Sequence, residues 1–183
     1  ICRVVAAMTD PFDQAAGSGM AALRQTGIEV KVGVCEAEAR RLNEPYIKRV
    51  TTGLPWVIVK WAQTLDGKTA TSTGDSRWIS GEPARRYVHA LRARVDAIMV
   101  GIGTVLADDP ELTARGVKVK RVARRVVVDP DLKMPPDRKL VRQPSPPVTV
   151  AVRQSAIDSR RRERLDSQWT EFIGLPGPDK GRL

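Results

Sequence analysis

At 183 residues, with 42 % hydrophobic residues, the chain is long enough for one large domain or for a domain plus part of another, which argues against a disordered polymer. No apolar run approaches the ~18 to 20 residues a membrane helix needs, and two cysteines with a single histidine argue against a zinc site built from this chain alone. The net charge of +10 would suit nucleic acid, yet four Trp, two Tyr and two Phe leave few stacking platforms.

The excess positive charge sits in 115–125 (RGVKVKRVARR) and 160–164 (RRRER). These runs read as solvated faces, or as a field that attracts phosphorylated small molecules. Cys2 and Cys35 read as plain thiols, which suit a reducing cytoplasm, and no signal-like segment opens the chain.

In chain order, 3–8 (RVVAAM) reads as a strand and MAALRQTG as a short helix with Met20 and Leu23 inward and Gly27 at its C-terminal end. IEVKVGV is a second strand, and EAEARRLNEPYIKRV a helix with Ala37, Leu42 and Ile47 at helical spacing. Residues 1–50 therefore resemble the tail of an α/β layer plus a connecting helix. TTGLP at 51–55 marks the boundary, with Gly53 and Pro55 as breakers.

From Trp56 the run WVIVKWA is apolar on both faces except at Lys60, the pattern of a buried central strand. A small polar segment, KTATSTGDSRWIS, follows. Helix 81–95 carries Ala84, Tyr87, Val88, Leu91 and Val95 on one stripe, with Ser80 as N-cap, Pro83 in the first turn and His89 off the stripe at the surface. DAIMVG, RRVVVD (124–129), PVTVAV (147–152) and TEFIG (170–174) read as further strands. The chain looks as if it starts in mid-domain and stops before a last crossover helix.

The chemistry gathers between Pro55 and Arg115. Strand 96–101 runs into Gly101-Ile102-Gly103-Thr104, a corner whose backbone amides can face an anion. It is not the full dinucleotide fingerprint, because Leu106 stands at the third glycine position. Arg92 and Arg115 are either surface residues or a phosphate clamp, since guanidinium pairs with phosphate oxygens. Asp108 and Asp109 cap a helix, form a turn or hold a ligand hydroxyl. Trp78 is core or a stacking surface for a base or nicotinamide.

Taken together, KWAQTLDGKTA, GDSRWIS, HALRARVDAIMVGIGTVLADDPELTAR and RRVVVD resemble the reductase domain of the bifunctional riboflavin-biosynthesis deaminase–reductases. The resemblance implies an α/β fold: an incomplete dihydrofolate-reductase-like domain over 51–183, preceded over 1–50 by the C-terminal remnant of a cytidine-deaminase-like domain and a connecting helix. It implies NADPH-dependent reduction of the ribosyl group of a phosphoribosylamino-pyrimidine to a ribityl chain. Ala62, Trp78, Thr104 and Asp108 match positions that hold the nucleotide. Ser76, Arg92, Leu112 and Arg115 match those that hold the substrate, the arginines reaching its phosphate. Lys60 and Asp66 lie where polar groups would reach the sugar, as acid, base or orienting group.

The resemblance also implies departures. The zinc-binding deaminase signature is not in this chain, so zinc belongs to the deaminase part of the parent, for which a homo-oligomer is compatible. Pro130 stands where the family often has a small hydroxyl residue near the nucleotide, and a glycine-rich segment expected after Leu183 is absent, which would leave the chain weakly active or inactive alone. The competing reading is a basic nucleic-acid-binding α/β module.

Overall fold

The structure, a computed structural model, describes residues 1–144, 146–157, 160–165 and 168–176. The chain forms two compact units, Ile1–Trp61 and Ala62–Leu183. Among the described residues no helix is long and apolar enough to cross a membrane.

In the first unit, strand β1 (Arg3–Ala6) pairs in parallel with β2 (Glu29–Val32), in a register that sets Arg3 opposite Glu29 and Ala6 opposite Val32. A parallel pair needs a crossover, supplied here by helix α1 (Ser18–Gln25). Its polypeptide turns out through Gly27 at φ 78°, the left-handed conformation that glycine adopts without a Cβ clash. Helix α2 (Glu36–Thr52) follows, and Gly53 closes it at φ 71°. The helix therefore ends at the breakers read from the sequence, while the compact unit continues to Trp61. Leu42, expected on an inward stripe, is exposed, as is Ala37.

The buried central strand expected over 56–62 is not formed. That segment joins no sheet, and Val57, Val59 and Trp61 are exposed, as is Lys60. An apolar run becomes a buried strand only where a neighbour supplies ladder hydrogen bonds, and none of the described strands pairs with this one. Lys60 thus needs no buried partner.

The second unit is a parallel four-stranded sheet in chain order, β3 (Ala97–Gly101), β4 (Arg124–Val128), β5 (Val148–Arg153) and β6 (Thr170–Leu175). Helices α3 (Glu82–Arg92), α4 (Ile102–Asp108), α5 (Lys139–Arg142) and α6 (Arg160–Leu165) lie between or before the strands. β5 has the near-continuous apolar run of a strand covered on both faces: Val148, Val150 and Val152 are fully buried. Val105 of α4, Leu140 of α5 and Leu165 of α6 complete this core.

Two buried polar groups fasten its loops. Asp129, at the end of β4, accepts the backbone amides of Lys133 (2.9 Å) and Met134 (2.8 Å). Arg125, inside the basic run read as solvated, is instead wholly buried and donates to the carbonyls of Gln143 (2.8 Å) and Pro146. Its aliphatic stem sits in a strand while the guanidinium satisfies loop carbonyls, and desolvation lowers its pKa.

Helix α3 is shorter than 81–95, and Gly81 rather than Ser80 stands at its N-cap, without a side-chain cap bond. Ala84 and Tyr87 of the expected stripe are exposed, and the deeper residues lie toward its C-terminal half. That half is the one that approaches the site.

Candidate active site

β3 delivers the chain to the glycine corner. Gly101 is extended (φ −79°, ψ 159°) and α4 begins at Ile102, so the corner has the strand-to-helix geometry read from the sequence. A Cβ at Gly101 or Gly103 would meet nothing within 4 Å, which leaves the corner open to a ligand. Thr104 is exposed on α4 beside it, and Asp108 is the last residue of that helix. Asp109 caps it in the left-handed conformation (φ 41°) and its carboxylate accepts the Lys139 amide at 3.0 Å. Of the two aspartates, then, Asp109 has the structural role and the exposed Asp108 side chain keeps its carboxylate toward solvent.

The polar segment ahead of α3 reaches this helix through Arg77, whose guanidinium donates to the Asp108 carbonyl at 3.2 Å. The next residue, Trp78, is 71 % exposed, which settles it against the core reading. Its ring carries the Arg85 guanidinium 4.5 Å from the centroid, a cation–π contact that holds the indole at the surface with one face engaged.

A second cluster forms where the loop 109–115 returns to the C-terminal half of α3. Leu112 is buried yet left-handed (φ 55°), a conformation that costs a bulky residue roughly 1–3 kcal/mol and persists only where surroundings enforce it. Burial of its side chain is what holds the turn. Beyond that turn the Thr113 carbonyl accepts from Arg92 at 3.4 Å, and the Arg115 amide donates to Nδ1 of His89 at 3.1 Å. The Arg115 guanidinium is paired with the Glu111 carboxylate.

The electrostatics follow from this crowding. Burial, and then repulsion from Arg115, lower the Arg92 pKa, so Arg92 is a desolvated cation for which an anion would be a favourable neighbour. Desolvation, then Arg92 and Arg115, push His89 below its usual range, against smaller opposing effects of the Thr113 backbone and Glu111. Arg92, Leu112 and Thr113 line a cleft of about 200 Å³, whose other walls include Ile98, Val119 and Pro146.

Of the residues singled out in the sequence, the structure thus brings Arg92, Leu112 and Arg115 together and ties the loop of Trp78 to Asp108. Ser76 and Ala62 are half-buried in the second unit. Asp66 is exposed in a turn, its carboxylate accepting the Thr64 hydroxyl, and Lys60 belongs to the first unit. His89, expected at the helix surface, is partly buried there, and the expectation missed its backbone partner, the Arg115 amide. Its i, i+3 relation to Arg92 on α3 was the signal that the two share a face. Among the described residues no group of three or more His, Cys, Asp or Glu is placed to hold a metal.

A second cleft of about 200 Å³ lies beyond the C-terminal ends of β4 and β5, lined by Pro130, Asp131, Arg153, Ser155, Ala156 and Arg161. Asp131 pairs with Arg153 at 2.7 Å and Lys133 at 3.1 Å, and its backbone carbonyl accepts from Arg161 at 2.9 Å. Lys133 first, then Arg153 and Arg161, hold its carboxyl low, with burial opposing them. Three cations around one carboxylate leave the cleft electropositive.

Comparison with known families shows where the chain belongs. The model of the RibD C-terminal domain matches residues 55–174. The chain belongs to the RibD C-terminal domain family. The riboflavin biosynthesis protein RibD of Aquifex aeolicus is 41 % identical over 177 residues, covering 97 % of this chain and 49 % of that protein, and that of Escherichia coli is 40 % identical over 156 residues, covering 79 % and 42 %. The chain spans about half the length of the curated relatives it matches.

Solved RibD structures agree. A diaminohydroxyphosphoribosylaminopyrimidine deaminase/5-amino-6-(5-phosphoribosylamino)uracil reductase from Thermotoga maritima superposes with a TM-score of 0.80 at 35 % identity, over 94 % of this chain and 46 % of that one. RibD of Acinetobacter baumannii gives 0.77 at 34 % identity, over 96 % and 49 %. The mixed α/β architecture with parallel sheets is that of RibD, as the sequence motifs implied.

Proposed function

We propose that the second unit carries the reductase half of a riboflavin-pathway deaminase–reductase, reducing the ribosyl group of 5-amino-6-(5-phosphoribosylamino)uracil to the ribityl form with NADPH. The observation that carries this reading is the convergence of Arg92 and Arg115 on one loop, in the same unit as an open glycine corner. A sugar phosphate requires paired guanidinium donors, and a dinucleotide requires backbone amides beside a flat apolar surface. Arg92 and Arg115 are assigned to the first, and the glycine corner with Trp78 to the second. The first fifty residues are then the end of the preceding deaminase domain, and the parent's zinc and deaminase chemistry lie outside this chain.

The donor set fits a pyridine nucleotide. Thr104, Asp108 and Ala62 are assigned to its polar groups, with the exposed Trp78 indole as a surface for a ring. The electropositive cleft at Pro130, Arg153 and Arg161 is assigned to the phosphate that distinguishes NADPH from NADH. When bound, the nucleotide supplies a hydride to the sugar carbon being reduced. The protein holds donor and acceptor close and keeps water away, which for hydride transfer is most of what is required. Ser76 and Leu112 position the substrate, Arg92 and Arg115 bind its phosphate, and Asp66 is assigned the orientation of the accompanying proton, whereas Lys60 belongs to the other unit and is given no role here.

The test is ligand-dependent melting. NADPH is expected to raise the melting temperature more than NADH, and Arg161→Ala to narrow that difference. Salt-dependent retention on DNA, with no shift on adding NADPH, would support the nucleic-acid-binding alternative instead.

A further inference from the structure

We propose that His89 is a positioning residue of the substrate-phosphate clamp: its neutral imidazole, protonated on Nε2, accepts the Arg115 backbone amide on Nδ1 and so fixes the loop that carries the Arg115 guanidinium. The inference rests on the clamp reading above and adds to it a residue to which neither the motifs nor the relatives' names give a role.

The geometry determines the tautomer. The 3.1 Å contact runs from an N–H to Nδ1, and an imidazole nitrogen can accept only when it carries no proton. A ring protonated on both nitrogens would present a donor to a donor. The contact joins residues 26 positions apart, so it is a tertiary restraint on the 109–115 loop rather than a local turn.

The surroundings favour the same state. Arg92 faces His89 from its own helix, while Arg115, Glu111 and the Thr113 carbonyl face it from the loop. Two guanidiniums stand against one carboxylate, and that carboxylate is already engaged by Arg115. Desolvation and the two guanidiniums disfavour a third cation there, outweighing the Thr113 carbonyl and Glu111, which favour the protonated ring; the balance keeps the imidazole an acceptor. Arg92 fixes the Thr113 carbonyl and His89 the Arg115 amide, so two consecutive turns of α3 hold two points of one loop.

His89 is the only histidine in the chain, which makes its ring nitrogens a single pair of signals in a nitrogen-15 spectrum. The expected spectrum shows Nε2 protonated and Nδ1 as an acceptor at neutral pH; the opposite tautomer would overturn the proposal. In parallel, ribose 5-phosphate and NADPH are titrated against the wild type, His89→Ala and His89→Asn, the last placing an amide oxygen near the position of Nδ1. His89→Ala is expected to weaken ribose 5-phosphate about five-fold, His89→Asn to restore most of that loss, and NADPH affinity to stay the same in all three. An alanine variant that binds ribose 5-phosphate like the wild type, or an asparagine variant no better than alanine, would refute the positioning role. If the wild type itself fails to bind ribose 5-phosphate, the clamp reading falls. The hydrogen bond is then decided by Arg115 amide exchange, slow in wild type and fast in His89→Ala if it forms, and equal in both if it does not.

Discussion

Glu111 and Arg115 are ion-paired within the loop that also carries Leu112, and the same Glu111 oxygen accepts the Thr113 hydroxyl at 3.4 Å. The carboxylate therefore occupies the guanidinium that a substrate phosphate would need. Because the pair is about half exposed, screening limits what it contributes. Glu111→Gln is expected to tighten ribose 5-phosphate by about two- to five-fold, in keeping with an exposed pair worth ~0.2–1 kcal/mol, as read by calorimetry. Weaker binding would mean that Glu111 orients Arg115 rather than competing for it.

The wholly buried Leu140 joins α5 to β5 in the core of the second unit. Truncating it leaves a cavity that strands on either side cannot fill. Leu140→Ala should lower the unfolding free energy by about 2–5 kcal/mol in urea titration. A loss below 1 kcal/mol would show that the site collapses or is less packed than described.

Asp129 ends β4 and accepts two amides of the following loop, one of whose residues, Met134, is itself buried. Removing the carboxylate strands both donors. Asp129→Ala is expected to cost about 1–3 kcal/mol per stranded group, whereas Asp129→Asn, which keeps one oxygen, should cost less. The chevron or equilibrium midpoints of the two variants would test the order, and alanine equal to asparagine would contradict it.

The lowered pKa of His89 gives a signed pH dependence. The unfolded chain takes up a proton near the ordinary histidine value of about 6.5, while the folded chain resists it to lower pH. The histidine's contribution to stability is thus present above that value and is lost as pH falls from about 7 toward the folded pKa. His89→Asn should flatten the stability profile in that window. An unchanged slope would show that other groups set it.

Much of the second unit was legible because its signals are local. Strands β4 (RRVVV) and β5 (VTVAVR) are rich in β-branched residues, and the glycine corner announces a strand-to-helix turn whatever its ligand. What could not be read depends on partners. WVIVKWA has the composition of a central strand, but composition does not supply a neighbour, and the segment joins no sheet. Arg125 reads from the sequence as one charge in a basic run because nothing local reveals the two loop carbonyls that accept from its Nη2. Helical periodicity sets His89 off the apolar stripe and says nothing of its partner, a backbone amide far away in sequence. The left-handed Leu112, which makes that meeting possible, carries no sequence mark at all, since leucine is the last residue a turn rule would propose there.

The central claim, that one unit holds a nucleotide and a sugar phosphate on separate sets of residues, is tested most directly by titrating NADPH and ribose 5-phosphate into the wild type and Arg115→Ala. The account predicts that both ligands bind the wild type, and that the substitution weakens ribose 5-phosphate by at least about ten-fold, as for a lost charge-assisted pair, while NADPH is held as before. Equal loss of both ligands, or wild-type affinity for ribose 5-phosphate in the variant, would contradict it.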